Sequence, residues 1–232
     1  MKLVKMGKIF VASLCLAAMA AGSAVPALAV SPAGYTSFAA IEQVNSVDPA
    51  KVQAIRDALE RIDASRSENG SWTLQSTYQN YEIENKNSFI MPWLFTKNNN
   101  QDLYFAMLIM SQDEDGYFYW NKADILYGEY NNFNRTTSYE IKNVKRAYAT
   151  EDKSYFEMAS FVGDDTDVEA MGAILSNETA YIRFNGGNVN GSQRTGTFLI
   201  DNETRQGITD IITLYNLLKD ATPEERSAAL NG

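Results

Sequence analysis

The chain of 232 residues contains no histidine and a single cysteine. Without an imidazole, a Ser-His-Asp triad, a Cys-His dyad and every His-ligated metal site are excluded. The lone thiol, Cys15, lies in the apolar leader described below. No disulfide therefore staples the remaining chain, and a hydrophobic core must hold it. Basic charge is also scarce: Lys and Arg number 20 against 29 acids, a formal charge of −9. A chain of that sign repels nucleic-acid phosphates and anionic lipid, so neither is an expected partner. Local catalytic signatures are missing as well. There is no G-x-S-x-G elbow and no Gly-rich phosphate loop followed by Lys, so no catalytic residue and no cofactor is assigned.

What is present begins with Lys2, Lys5 and Lys8, followed by an uncharged run rich in Ala and Leu over residues 9–21. Pro26-Ala27-Leu28-Ala29 then places small residues at the two positions signal peptidase reads. This three-part plan predicts a secretory signal peptide over residues 1–29, cleaved after Ala29. A retained anchor is the alternative, because no charge intervenes between Lys8 and Glu42. The apolar run is nearer a signal-peptide core than the ~20 residues of a spanning helix, and Pro26 interrupts it. The expectation is an exported bacterial protein, secreted or held in the periplasm or cell envelope, with no membrane insertion after cleavage. Cys15 is not read as a lipoprotein acylation site, since Leu14 stands where a small residue is needed. Cleavage removes three lysines and no acid, which moves the charge to −12.

Residues 30–66 read as a spacer followed by an amphipathic helix. Asp48 and Pro49 form its start signal, and Val52, Ile55, Leu59 and Ile62 share one face, with the end expected by Arg66. Residues 67–220 carry the main domain. Trp72, Leu74, Ser76 and Tyr78 alternate with polar residues, as in a strand. Residues 89–96 form a second strand in which Pro92 indicates an edge or a bulge. Residues 103–110 are apolar on both alternating faces, as in a covered central strand. Gly116 serves a tight turn into a strand over 117–120, completing a meander. Further strands are expected at 125–130, 139–149 and 155–162. A helix follows, because Thr166 and Glu169 have capping-box spacing, and Asn177 helps to end it. Strands at 180–184 and 197–200 flank the Gly- and Asn-rich stretch 185–196 as a long hairpin. Asp201 caps a helix presenting Ile208, Ile211, Ile212, Tyr215 and Leu218, and Thr222-Pro223-Glu224-Glu225 opens a short terminal helix within 221–232. The expected fold is α+β, a largely antiparallel meander of about seven to nine strands with two to three helices over one face.

Two clusters bear on chemistry. Asp164, Asp165, Asp167 and Glu169 are dense enough to invite calcium, but Ala170 stands where a calcium loop needs glycine and Ser176 where it needs a bidentate Glu. Acids at a helix start also serve its dipole and cap, so no metal is assigned. Trp93, Tyr117, Phe118, Tyr119 and Trp120 put rings on both faces of neighbouring strands. Rings beside Asn and Asp suit a glycan or peptide ligand, with Trp93, Tyr117, Tyr119 and Trp120 as its candidate residues. The competing reading is core and cross-strand pairing. Three functions follow: a binding or envelope-associated protein, a carboxylate-dependent glycan hydrolase, or an interaction module that offers the Val52 to Ile62 helix face to an envelope protein.

Three segments carry a further likeness: Tyr181-Ile182-Arg183-Phe184-Asn185-Gly186, Gly196-Thr197-Phe198-Leu199-Ile200-Asp201, and Ile211-Ile212-Thr213-Leu214-Tyr215. Through them the stretch from Tyr139 to Leu218 resembles the C-terminal half of small exported bacterial proteins of unknown function, with a strand-hairpin-strand-helix pattern. The resemblance implies an exported accessory or binding role and brings no catalytic or cofactor residue. Arg183 is its polar position of interest.

Overall fold

Helix starts follow the sequence closely because each needs an acceptor for its free N–H groups. In the computed structural model, which describes residues 47–78, 88–150, 153–189 and 192–232, Asp48 accepts from the Ala50 N–H and opens α1 (Pro49–Leu59). Asp164 and Asp167 form a reciprocal capping box at α2 (Asp165–Ser176). Asp201 caps α3 (Asn202–Lys219), and Thr222 with Glu225 makes the box of α4 (Pro223–Asn231). The expected signal peptide and nearly all of the spacer lie outside the described residues.

Ten described strands make two sheets with antiparallel pairing throughout. The first has the order β1 (Ile62–Arg66), β2 (Trp72–Ser76), β3 (Ser88–Lys97), β4 (Asp102–Asp113), β8 (Ser154–Val162), β7 (Lys145–Ala149). The second runs β10 (Ser192–Leu199), β9 (Ala180–Val189), β5 (Trp120–Glu129), β6 (Asn132–Glu140). The α+β class and the antiparallel pairing agree with the sequence reading. The single meander does not survive: after β4 the chain leaves the first sheet, enters the second at Trp120, and returns at Lys145.

Three local corrections have physical causes. The first helix stops at Leu59, and Ile62 begins a strand rather than extending the apolar stripe. The turn from Ser67 to Gly70, with Gly70 at φ 81°, folds residues 62–66 back on 72–76, and those five paired residues outcompete another helical turn. Pro92 lies in a strand flanked on both sides, yet β2 pairs with β3 only at Thr73 with Phe95 and Leu74 with Leu94. The proline is thus beyond the end of the β2 ladder and costs it no hydrogen bond. The expected strand over 139–149 is two pieces in different sheets, β6 ending at Glu140 and β7 starting at Lys145.

One contiguous core joins the inner faces of both sheets to the helices, through Ile90, Leu94, Phe105, Met107 and Ile109 on one side and Ala123, Ile125, Tyr127, Ile182 and Phe184 on the other. Ile208, Ile211, Leu214 and Leu218 of α3 fill the space over β2, β3 and β4, with the Phe105 and Tyr215 rings 5.6 Å apart. Ile212 and Tyr215, expected inward, are only half-buried, and Leu214 takes the fully buried place. The α1 stripe is also occupied: Val52 and Ile55 are core, and α1 packs on α3 and α4. Among the described residues no helix is long and apolar enough to cross a membrane.

Candidate functional site

The chain changes sheets through residues 114–119, and this crossing builds the most distinctive surface of the molecule. Gly116 adopts φ 135°, after which the side chains alternate: Phe118 and Trp120 point inward and Tyr117 and Tyr119 outward. Phe118 is buried against Phe184 and Phe198, with ring centroids 6.3 and 6.1 Å away, and the Arg194 guanidinium stands 4.9 Å from its ring while bonding Asp113 at 2.9 Å. Trp120 is fully buried and its Nε1–H donates to Ser111 Oγ at 2.8 Å.

Tyr119 has φ 55°, a conformation a bulky L-residue adopts only when its surroundings hold it. Its N–H donates to Glu157 Oε2 at 3.0 Å, and its carbonyl accepts from the Gly187 N–H at 2.9 Å. Gly186 lies opposite Trp120, and a Cβ there would strike the carbonyl oxygens of Phe118 and Arg194. The Gly186-Gly187 pair, expected between the two strands of the long hairpin, lies within β9 and is the close-approach point that fixes the crossing.

Beneath the segment lies an ion pair on cross-strand partners of β7 and β8. Arg146 Nε donates to Glu157 Oε1 at 2.8 Å, its Nη2 reaches the Trp120 carbonyl at 3.4 Å, and its guanidinium stands 5.2 Å from the Tyr119 ring centroid. Burial pushes the Glu157 carboxyl above its ordinary value, against the opposing pull of Arg146 and the backbone N–H groups of Tyr119 and Phe118. Burial, with Tyr119, Tyr155 and Glu157 nearby, likewise raises the Tyr117 phenol, so it stays neutral.

Four rings crown this pair. Tyr117 stands 5.5 Å from Tyr119 and 4.9 Å from Tyr155, in edge-to-face geometry, and Tyr155 stands 4.7 Å from Tyr148, its cross-strand partner. Tyr119 and Tyr148 are 42% and 46% exposed. The result is an aromatic shelf with phenolic hydroxyls over an internally neutralised base, suited to stacking and hydrogen bonding with an uncharged or weakly charged ligand.

Of the four candidate residues, Tyr117 and Tyr119 come together here. Trp120 supports the shelf from the core, and Trp93 is buried on the outer face of the first sheet, apart from this cluster. Sequence reasoning missed Tyr148, Tyr155, Arg146 and Glu157, because their meeting with Tyr117 and Tyr119 depends on the β7–β8 hairpin returning to the first sheet through β4. The double glycine within a strand was the available signal for close backbone approach.

The acidic segment is committed to the helix start. Asp164 Oδ1 accepts from the Thr166 and Asp167 N–H groups, Asp167 Oδ2 accepts from the Asp164 N–H at 2.8 Å, and Asp165 pairs with Lys219 at 3.0 Å. The capping box expected at Thr166 and Glu169 is formed two residues earlier, by Asp164 and Asp167. Among the described residues no group of three or more His, Cys, Asp or Glu is arranged to hold a metal ion. The buried carboxylates occupy four separate networks. Glu157 serves Arg146 and Tyr119, while Asp124 bonds Ser138 at 2.6 Å and Asn185 at 2.7 Å. Asp210 bonds Ser76 and Gln206, each at 3.0 Å, and Glu225 bonds Thr222 at 2.8 Å and Asp48 at 3.1 Å.

Comparison of the chain with protein-family models, curated proteins and solved structures finds no match. The functional reading rests on the residues above.

Proposed function

We propose that this chain is an exported binding protein whose ligand, a glycan or a peptide, stacks on the shelf of Tyr117, Tyr119, Tyr148 and Tyr155. The observation that carries the reading is Tyr119, a large exposed ring held at positive φ by Glu157, Arg146 and Gly187. A side chain that only filled surface would not require that backbone conformation, which costs of order 1–3 kcal/mol unless surrounding contacts enforce it. Rigid rings bind with little loss of side-chain entropy, which favours a pre-formed stacking surface. Export is supported by the basic, apolar and small-residue sequence of residues 1–29.

Calorimetric titration of the chain beginning at Val30 with cell-wall glycan fragments and with peptides tests the proposal. A saturable ligand should lose at least tenfold in affinity in Tyr119→Ala and again in Tyr148→Ala, with both variants still folded. A ligand bound equally by wild type and both variants would place the site elsewhere.

A further inference from the structure

The outer face of the second sheet, opposite the core, is graded from apolar to polar. Strand register lays two rows across it: Leu199, Tyr181, Leu126 and Thr136, then Thr197, Arg183, Asp124 and Ser138. The alternate residues Ala123, Ile125, Ile182 and Phe184 fill the core, so these rows face outward. Past the first row stand Phe133, opposite Gly128, and Tyr130. The rings of Tyr130, Phe133 and Tyr181 form a triad with centroids 5.6, 5.7 and 6.3 Å apart. Tyr130 and Leu199 are nevertheless 58% and 54% exposed, so this apolar end is open.

Arg183 borders that end. Its Nε–H donates to Thr197 Oγ1 at 3.1 Å, and its guanidinium stands 5.4 Å from the Phe133 centroid. The bond and the ring hold the guanidinium in place. Asp124, its cross-strand partner, does not pair with it: Oδ1 accepts from Ser138 at 2.6 Å with Lys122 Nζ 3.4 Å away, and Oδ2 accepts from Asn185 at 2.7 Å. Among the described residues, Nη1 and Nη2 of Arg183 have neither an acceptor nor a carboxylate partner. The undescribed stretches that carry acids after the leader join the fold elsewhere. Residues 79–87 and 151–152 lie in sequence between strands of the first sheet, and 30–46 precede α1, which packs on α3 and α4.

We propose that this face takes the C-terminal carboxylate of a peptide whose last side chain is apolar. The two terminal nitrogens of a guanidinium can hold both oxygens of a carboxylate, and in Arg183 they are the unpaired ones. In a chain of formal charge −9, a cation left open is where an acid is attracted rather than repelled. Leu199, Tyr130 and Phe133 offer apolar surface on the same face for the last side chain, which a polyhydroxylated sugar acid would not fill. Tyr and Arg are also the residues that most often carry binding energy at interfaces. The site shares no residue with the tyrosine shelf.

The test titrates peptides ending in Leu or Phe, each as free acid and as C-terminal amide, into the chain beginning at Val30, following the Arg183 Nε–Hε signal by NMR. The acid should bind at least tenfold more tightly than its amide and shift that signal. Arg183→Gln should abolish the preference while circular dichroism stays native. Tyr130→Ala, which alters an exposed ring, should weaken acid and amide alike at least threefold. The preference should persist in Tyr119→Ala/Tyr148→Ala, and its loss there would overturn the proposal by placing the peptide on the shelf. Equal binding of acid and amide, no binding of either, a preference kept in Arg183→Gln, unchanged affinity in Tyr130→Ala, or binding of a uronate-bearing glycan in place of the peptide acids would each overturn it as well. If Arg183→Gln unfolds the chain, the Arg183 signal in wild type and the Tyr130→Ala affinities decide.

Discussion

Replacing Glu157 by Gln and by Ala separates what its charge contributes from what its oxygens contribute. Ala leaves the Tyr119 N–H without its acceptor and Arg146 Nε without its partner, bonds of 3.0 and 2.8 Å beside a side chain only 1% exposed. Breaking such a buried pair from one side costs about 3 kcal/mol. Gln keeps an oxygen for the Tyr119 N–H and gives up a charge that burial already disfavours, so its cost should stay near 1 kcal/mol. The pH dependence has a defined sign. The folded-state pKa lies above the ordinary 4.5, so between those values the folded chain binds more protons than the unfolded one. Wild-type stability relative to Glu157→Gln is greatest below about pH 4.5 and falls as pH rises through the folded-state pKa. Urea unfolding of the three proteins at several pH values between 4 and 8, followed by far-ultraviolet circular dichroism, measures both effects. Equal losses for Gln and Ala at neutral pH, or a wild-type advantage that grows with pH, would refute this account of the shelf's foundation.

Other consequences follow from the same geometry. Gly186→Ala should cost on the order of 3 kcal/mol by driving a methyl into two carbonyl oxygens, read as a lower urea midpoint; an unchanged midpoint would mean that β9 and the crossing are not in close contact. Thr222→Ala should cost about 1 kcal/mol through loss of the bond to the Glu225 N–H, with Thr222→Ser close to wild type in the same assay. Calcium and EDTA should leave the melting temperature unchanged, because the Asp164 and Asp167 carboxylates already serve backbone N–H groups; a calcium-dependent rise would show that the cap opens to admit the ion.

The parts of the fold written locally were the parts legible in sequence. Asp48, Asp201 and Thr222 act as caps because a helix start needs an acceptor within three residues, and that requirement involves no distant partner. The burial of β4 was visible for a similar reason, since its apolar residues occupy both alternating faces. Sheet membership was not visible: the strands expected at 117–120 and 125–130 become one strand, β5, and nothing local says that its partners are β6 and β9 rather than β4. Ile62 continued the helical spacing of Val52, Ile55 and Leu59, and only its pairing with Ser76 made it strand. The shelf divides along the same line. Tyr117 and Tyr119 were found because they lie in one run of four aromatic residues, whereas Arg146, Tyr148, Tyr155 and Glu157 sit on a local hairpin that reaches them only because β8 pairs with β4.

The central claim, a ligand seat on the tyrosine shelf, is tested most directly by thermal melting of the chain from Val30 against a panel of glycans and peptides, alongside a Tyr119→Ala/Tyr148→Ala double variant. A ligand at about 100 times its dissociation constant should stabilise the native protein by roughly 2.7 kcal/mol, and the double variant should melt with no such gain. A ligand-induced shift of equal size in the double variant, or no shift with any glycan or peptide, would contradict it.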